Sequence, residues 1–173
     1  MLELMTAVAI AAILMVIAVP NFQDLMKNNC LTNDANALVA SLQQARSEAV
    51  KRSTTTTVTA LNTSDSSNEW GLGWTITLNE DRNGNGTLDA GEDYNGNGTL
   101  ETSAQVRRID LTCSKTTIDE PSDTTAISYT NDGFSDKSAT FNICDDRTGE
   151  TGRQVTLSFT GRPSTESDYT GCP

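Results

Sequence analysis

Residues 1–26, "MLELMTAVAIAAILMVIAVPNFQDLM", decide the fold. From Leu4 to Val19 every residue except Thr6 is apolar, and Glu3 is the one charge ahead of Pro20. Such a run forms a helix that is hydrophobic all round and must be covered by lipid or by other helices. Its 16 residues rise about 24 Å, slightly short of the roughly 30 Å hydrocarbon core of a bilayer, which makes it a marginal membrane span. A secretory signal peptide fits less well, because no basic residue precedes the run and it ends in Val19-Pro20 rather than at a small-residue cleavage site.

Pro20 lacks an amide hydrogen and crowds the preceding turn, so a kink or local melting is expected there in a helix that otherwise continues. Beyond it Phe22, Leu25, Met26, Leu38, Val39, Leu42, Ala45 and Ala49 recur near helical spacing, and no glycine occurs before Gly71. The pattern predicts one long bent helix ending near Arg52, amphipathic in its second half, residues 27–52. From Arg52 on the period changes. "TTTTVTAL", "WTITLN", "QVRRIDL", "AISYT", "ATFNIC" and "QVTLSF" are short, rich in Thr, Val and Ile, and separated by turn-forming clusters. The expected fold class is α+β: a long N-terminal helix packed on an antiparallel β-sheet domain, with residues 1–26 as an apolar anchor segment and 27–173 as the head.

The 173 residues suffice for one compact domain. A net charge of −11 repels a phosphate backbone, so nucleic acid is not an expected partner. Arg147, Arg153 and Arg162 form at most a small local basic cluster against that field. There is no histidine, which removes the usual general base and the commonest zinc ligand. No catalysis is expected, and Asp145-Asp146 beside Arg147 read as solvated loop charges. The four cysteines lack metal or redox spacing and fit two disulfides in an oxidising compartment. Three pairings exist; the expected one, Cys30–Cys113 with Cys144–Cys172, joins neighbours in the cysteine order.

Residues 80–101, "EDRNGNGTLDAGEDYNGNGTLE", repeat themselves with a period of twelve. A calcium loop of the EF-hand type takes oxygen ligands at positions 1, 3, 5, 7 (backbone carbonyl), 9 and 12, with glycine at 6 for the turn. Asp81, Asn83, Asn85, Thr87, Asp89 and Glu92 meet every position of the first repeat, with Gly86 at 6. In the second, Asp93, Asn95, Asn97, Thr99 and Glu101 are present, but Ala104 stands at position 12, so the closing acid is lacking and a weaker site is expected. Strand-like segments flank the pair, which makes it a calcium loop between strands. The cofactor expected is a structural Ca2+ stiffening an exposed acidic insertion, residues 80–104. Tight hairpin turns alone explain the glycines but not the carboxylates at positions 1, 9 and 12.

An apolar helix with an early glutamate, a proline and an amphipathic continuation resembles the N-terminal region of type IV pilins and type II secretion pseudopilins. Leu2-Glu3-Leu4, the apolar run and "IAVPNF" at 17–22 carry the likeness. "WGLGWTITLNEDRNGNGTLDAGE" and "FNICDDRTGETGRQVTLSFTGRPS" are similar to the GspH/FimT type within that group. The resemblance implies a filament subunit that waits in the bacterial inner membrane and then packs its helix into an extracellular filament, with other pilin subunits and the assembly machinery as partners. It also implies an N-methylated mature start and a Glu3 that pairs with the terminal amine of a neighbouring subunit, with Glu3 and Pro20 as the assembly residues. In that group the glutamate stands fifth, so a leader and two mature residues ahead of Met1, or a different start, are expected. The alternatives are a minor pilin or periplasmic pseudopilin that primes assembly, and a membrane-anchored calcium-binding or adhesive module that never polymerises. Some FimT-like subunits bind DNA through a C-terminal G-R-x-R; here Gly161-Arg162-Pro163-Ser164 lacks the second arginine.

Overall fold

The computed structural model describes residues 2–149 and 151–172, with the side chains of Leu2, Val16, Ile17, Ala18 and Pro20 outside the description. Helix α1 (Leu2–Arg52) is followed by eight strands: β1 (Thr56–Ala60), β2 (Gly73–Leu78), β3 (Ala104–Asp110), β4 (Thr117–Asp119), β5 (Ala126–Tyr129), β6 (Ala139–Cys144), β7 (Gly152–Leu157) and β8 (Pro163–Tyr169). The expected strand segments all form. They divide into two antiparallel four-stranded sheets, ordered β3-β2-β1-β5 and β4-β6-β7-β8, rather than the single sheet face that the sequence suggested.

The 51 residues of α1 span about 77 Å. The backbone is helical through position 20, so the melting expected there does not occur; the Pro20 side chain itself lies outside the described residues. The helix stops in a Schellman motif: Ser53 takes the left-handed conformation (φ 54°), its amide donates to Val50 O (3.3 Å), and the Thr54 amide donates to Ala49 O (3.1 Å). Lys51 and Arg52 in the last turn oppose the helix dipole, and Glu48 holds Arg52 at 2.7 Å.

The two halves of α1 have opposite fates. From Leu31 onward one stripe is buried: Leu31, Ala35, Leu38, Leu42, Ala45 and Ala49. The three alanines bring the helix backbone close to the strands, and the stripe touches both sheets. Ahead of Leu31 the apolar side chains lack cover from the head; Leu4, Met5, Val8, Ile10, Ile13, Leu14, Met15, Val19, Phe22, Leu25 and Met26 are each more than half exposed. Phe22, Leu25 and Met26, counted in the periodic pattern but inside the anchor segment 1–26, belong to the bare half.

Between the sheets lies an aromatic core in which Trp70 meets Phe141 edge-on (centroids 5.0 Å) and Trp74 at 6.3 Å. The Trp70 indole donates to Thr124 O (2.8 Å), and Ile76, Ile127, Ile143 and Val155 close the remaining space. The sheets are stitched at Ile118 of β4, whose carbonyl accepts the Trp70 amide (3.1 Å) and whose amide donates to the Asn68 side chain (2.9 Å).

Candidate functional site

The doubled loop connects β2 to β3 as expected, and its two repeats have the same backbone. Asp81 accepts the amides of Gly84 (2.7 Å), Asn85 (3.1 Å) and Gly86 (3.0 Å), and Asp93 accepts those of Gly96 (2.6 Å), Asn97 (3.1 Å) and Gly98 (2.9 Å). Gly86 and Gly98 at position 6 have φ of 72° and 74°, where a side chain would be strained although open space surrounds both. The amides of Asn83 and Asn85 donate to Asp89 (2.8 Å each) and hold its carboxyl below the usual range. In the second repeat Asn95 and Asn97 donate to Glu101 in the same way (2.9 and 3.2 Å).

Two glutamates hold the ends of the loops. Glu92 accepts the Arg82 and Asp89 amides, positions 2 and 9 of the first repeat, at 3.1 Å each. The corresponding amides of the second repeat, Tyr94 and Glu101, donate to Glu80 at 2.8 and 2.9 Å. Ala104 is simply the first residue of β3. Glu80 thus accepts in the second repeat the same two amides that Glu92 accepts in the first, and each loop is fastened by the glutamate that precedes the other. Both glutamates are buried, at 2% and 5% exposure. The donor set is all oxygen, carboxylate and amide, which suits a hard cation. Among the described residues no group of three acidic or thiol side chains stands in metal-holding geometry; the loop amides engage the carboxylates instead.

Where α1 leaves the head, a second cluster forms that the sequence reading missed. Asp145, taken as solvated, is buried at its side chain and forked by Arg147 (Nη2–Oδ2 2.6 Å, Nε–Oδ2 3.0 Å). Burial opposes its charge, but the Arg147 bonds outweigh it and hold the carboxyl below its usual value. Arg147 reaches on to Asn28 (2.7 Å) and Asp24 (3.8 Å) of the helix, so it is spent within the head rather than joining Arg153 and Arg162 in a basic cluster. Lys27 (2.7 Å) and Lys115 (3.1 Å) both grip Asp146 and pull its pKa down to about 2. The disulfides form as expected. Cys30–Cys113 (Cα–Cα 6.0 Å) ties the helix to the segment after β3, and Cys144–Cys172 (5.6 Å) ties β6 to the C-terminal tail. Gly152 permits the second, since a Cβ there would lie 2.5 Å from Cys172 Sγ and 2.4 Å from Ile143 O.

Glu3 sits exposed in the first helical turn, where its backbone carbonyl accepts the Thr6 hydroxyl (2.9 Å). Among the described residues no helix is long and apolar enough to cross a membrane. A half-bare helix on a two-sheet head is the architecture against which known proteins compare. The family model described as type II transport protein GspH matches residues 34–161. The chain belongs to the GspH family. The crystal structure of the type IV minor pilin FimU of Pseudomonas aeruginosa strain PAO1 is similar, with 26% identity and a TM-score of 0.58 over 82% of this chain and 92% of that one. A second crystal form of FimU gives 26% identity and a TM-score of 0.53 over 78% and 91%. No curated protein matches the chain. GspH-family membership makes this a structural subunit of the pilin or pseudopilin kind, one that assembles with other such subunits. The GspH match begins at residue 34, within the covered half of the helix, takes in β1 to β7 and the doubled loop, and ends ahead of β8.

Proposed function

We propose that the chain is a structural subunit of a type IV pilus-like extracellular filament, held in the bacterial inner membrane before assembly. One observation carries the reading: the apolar half of α1 projects from a head that does nothing to cover it. A surface of that size and composition demands burial against like helices. In such packing Glu3 is a carboxylate among apolar neighbours, costly unless it meets a positive partner, and the terminal amine of an adjacent subunit is that partner. Glu3→Ala should abolish incorporation into filaments sheared from cells while leaving the chain in the membrane. Normal incorporation of the variant would sink the reading and favour a simple anchored module.

A second reading, a subunit present in few copies, is favoured by the likeness to a minor pilin. Quantitative mass spectrometry of sheared filaments separates the two: dominance of this chain supports the first, trace amounts the second.

We further infer that the doubled loop holds structural calcium. Asp81, Asn83, Asn85, the Thr87 carbonyl, Asp89 and Glu92 supply one ion; Asp93, Asn95, Asn97, the Thr99 carbonyl and Glu101, with Glu80 as the acid at the twelfth place, supply the other. Calcium would neutralise an acidic insertion that otherwise repels itself. Calorimetric titration of the full chain with Ca2+ tests this, and a chain that binds none at millimolar concentration would end it.

A further inference from the structure

All four Asn-Gly steps of the chain fall in the doubled loop: Asn83-Gly84 and Asn85-Gly86 in the first repeat, Asn95-Gly96 and Asn97-Gly98 in the second. The turns force that pairing. Each of these glycines has φ between 72° and 74°, a left-handed backbone that a side chain would strain, so each asparagine is followed by the residue least able to shield its own amide. All four asparagines are exposed, and nothing lies within 4 Å of the place a Cβ would take at any of the four glycines.

Asparagine is thermolabile, and its weak point is attack by the next residue's amide nitrogen on the side-chain carbonyl carbon. At Asn85 every group that takes part is already held. The Gly86 amide, the nucleophile, donates to Asp81 Oδ2 (3.0 Å). The Asn85 Oδ1, where negative charge develops, accepts both the amide (2.8 Å) and the hydroxyl (2.7 Å) of Thr87. The leaving nitrogen, Nδ2, donates to Asp89 (2.8 Å). Asn97 repeats the arrangement, with the Gly98 amide on Asp93 (2.9 Å), the amide and hydroxyl of Thr99 on its Oδ1 (2.7 and 2.5 Å), and its Nδ2 on Glu101 (3.2 Å). Asn83 and Asn95 differ in one respect. Their Oδ1 atoms accept the backbone amides of Asn85 (2.9 Å) and Asn97 (3.0 Å), and among the described residues no hydroxyl joins them.

We propose that Asn85 and Asn97 are self-modification sites, which deamidate through a cyclic imide ahead of Asn83 and Asn95. The Gly86 nitrogen bonds to Asn85 Cγ as its proton passes to the Asp81 carboxylate, and the carbonyl π pair moves onto Oδ1 under the two Thr87 donors. Collapse of that intermediate breaks the Cγ–Nδ2 bond, and ammonia leaves with the proton that Asp81 returns. Water then opens the imide at either carbonyl, giving aspartate or isoaspartate. The reaction needs no metal and no oxidant. Each event adds a negative charge to a chain already at −11, and the isoaspartate product lengthens the loop backbone by an atom, so the loop keeps a record of its age.

Full-length chain in detergent micelles is aged in EDTA at physiological temperature and pH, and its peptides are mapped by mass spectrometry for amide-to-acid exchange. The same chain unfolded in guanidinium is aged alongside. In the folded chain Asn85 and Asn97 should lose their amides about tenfold faster than Asn83 and Asn95, a smaller factor than one such donor supplies in a water-excluded site. In the unfolded chain the four should react alike. Thr87→Val should slow the Asn85 step about tenfold and leave Asn97 at the parent rate, and Thr87→Ser should restore Asn85. The proposal is overturned if the folded chain keeps Asn85 and Asn97 while the unfolded chain loses them, if all four react at one rate in the folded chain, or if Thr87→Val matches the parent at Asn85.

Discussion

The guanidinium of Arg52, the last residue of the helix, lies 4.3 Å from the centroid of the Tyr94 ring, in the second loop repeat. The contact ties the end of α1 to the acidic insertion across a cleft lined also by Lys51, Arg82, Glu80 and Glu92. A cation–π contact of this kind contributes about 0.5–1 kcal/mol. A double-mutant cycle of Arg52→Ala and Tyr94→Leu, read by urea unfolding, should return a coupling energy in that range, while zero coupling would make the contact incidental.

Exchange of closing acids between the repeats makes the two loops one unit. Glu80→Gln should therefore weaken calcium binding at the second repeat and also loosen the first, and Glu92→Gln the reverse. In the unaltered chain, calcium at a hundred times its dissociation constant should add about 2.7 kcal/mol of stability, and each variant should lose most of that gain. Thermal melts with and without Ca2+ measure it; a Glu80→Gln chain that responds like the parent would refute the exchanged closure.

Acid should act on the head in two opposite stages. Burial raises the carboxyls of Asp34, Glu69 and Asp119, so their charged forms disfavour the fold, and stability rises as pH falls through their raised values toward the ordinary 3.8 to 4.5. Asp145 and Asp146 are depressed, so their contribution is complete above the ordinary 3.8 and is lost as pH falls toward about 2. The melting temperature should pass through a maximum on the acid side of neutrality. Asp146→Asn should shrink the loss below it, and a monotonic profile would contradict both assignments.

The Cys30–Cys113 bridge closes 83 positions of sequence and Cys144–Cys172 closes 28. Chain-entropy arguments assign about 3–5 kcal/mol to each, the longer loop more. Denaturant unfolding of a Cys30→Ala, Cys113→Ala chain should show the larger loss, and the Cys144→Ala, Cys172→Ala chain the smaller.

Ser53 holds a left-handed conformation that favours glycine. Ser53→Gly should raise stability by up to about 1 kcal/mol in the same unfolding assay, since strain relief outweighs the added freedom of the unfolded chain. A destabilised variant would show that the Ser53 side chain has a role of its own.

The long helix was legible because an apolar run and a stripe at Leu38, Leu42, Ala45 and Ala49 are one-dimensional signals. Phe22, Leu25 and Met26 share that helical spacing but stay bare, since periodicity marks a face and not what covers it. Strand β4 was invisible at three residues, and β8, "PSTESDY", reads as polar loop because an edge strand opening on proline has no buried face to advertise. Glu80 was missed because a closing acid was sought twelve places into the second repeat. Its signal was nevertheless present, as Glu80-Asp81 and Glu92-Asp93 are the same pair one period apart. The Asp145–Arg147 pair is placed by Arg147 folding back onto Asn28 and Asp24, more than a hundred positions away, which no local pattern carries.

The bridge at Cys30 also fixes how the molecule meets a mechanical load. A pull along the helix axis, entering from the bare half, arrives first at Lys27, Asn28 and Cys30, where one covalent bond and a knot of charges join helix to head. Tension therefore passes into the segment after β3 without having to peel Leu31, Leu38 and Leu42 from the sheets one by one. Helix and head therefore stay joined under tension even where that packing is lost.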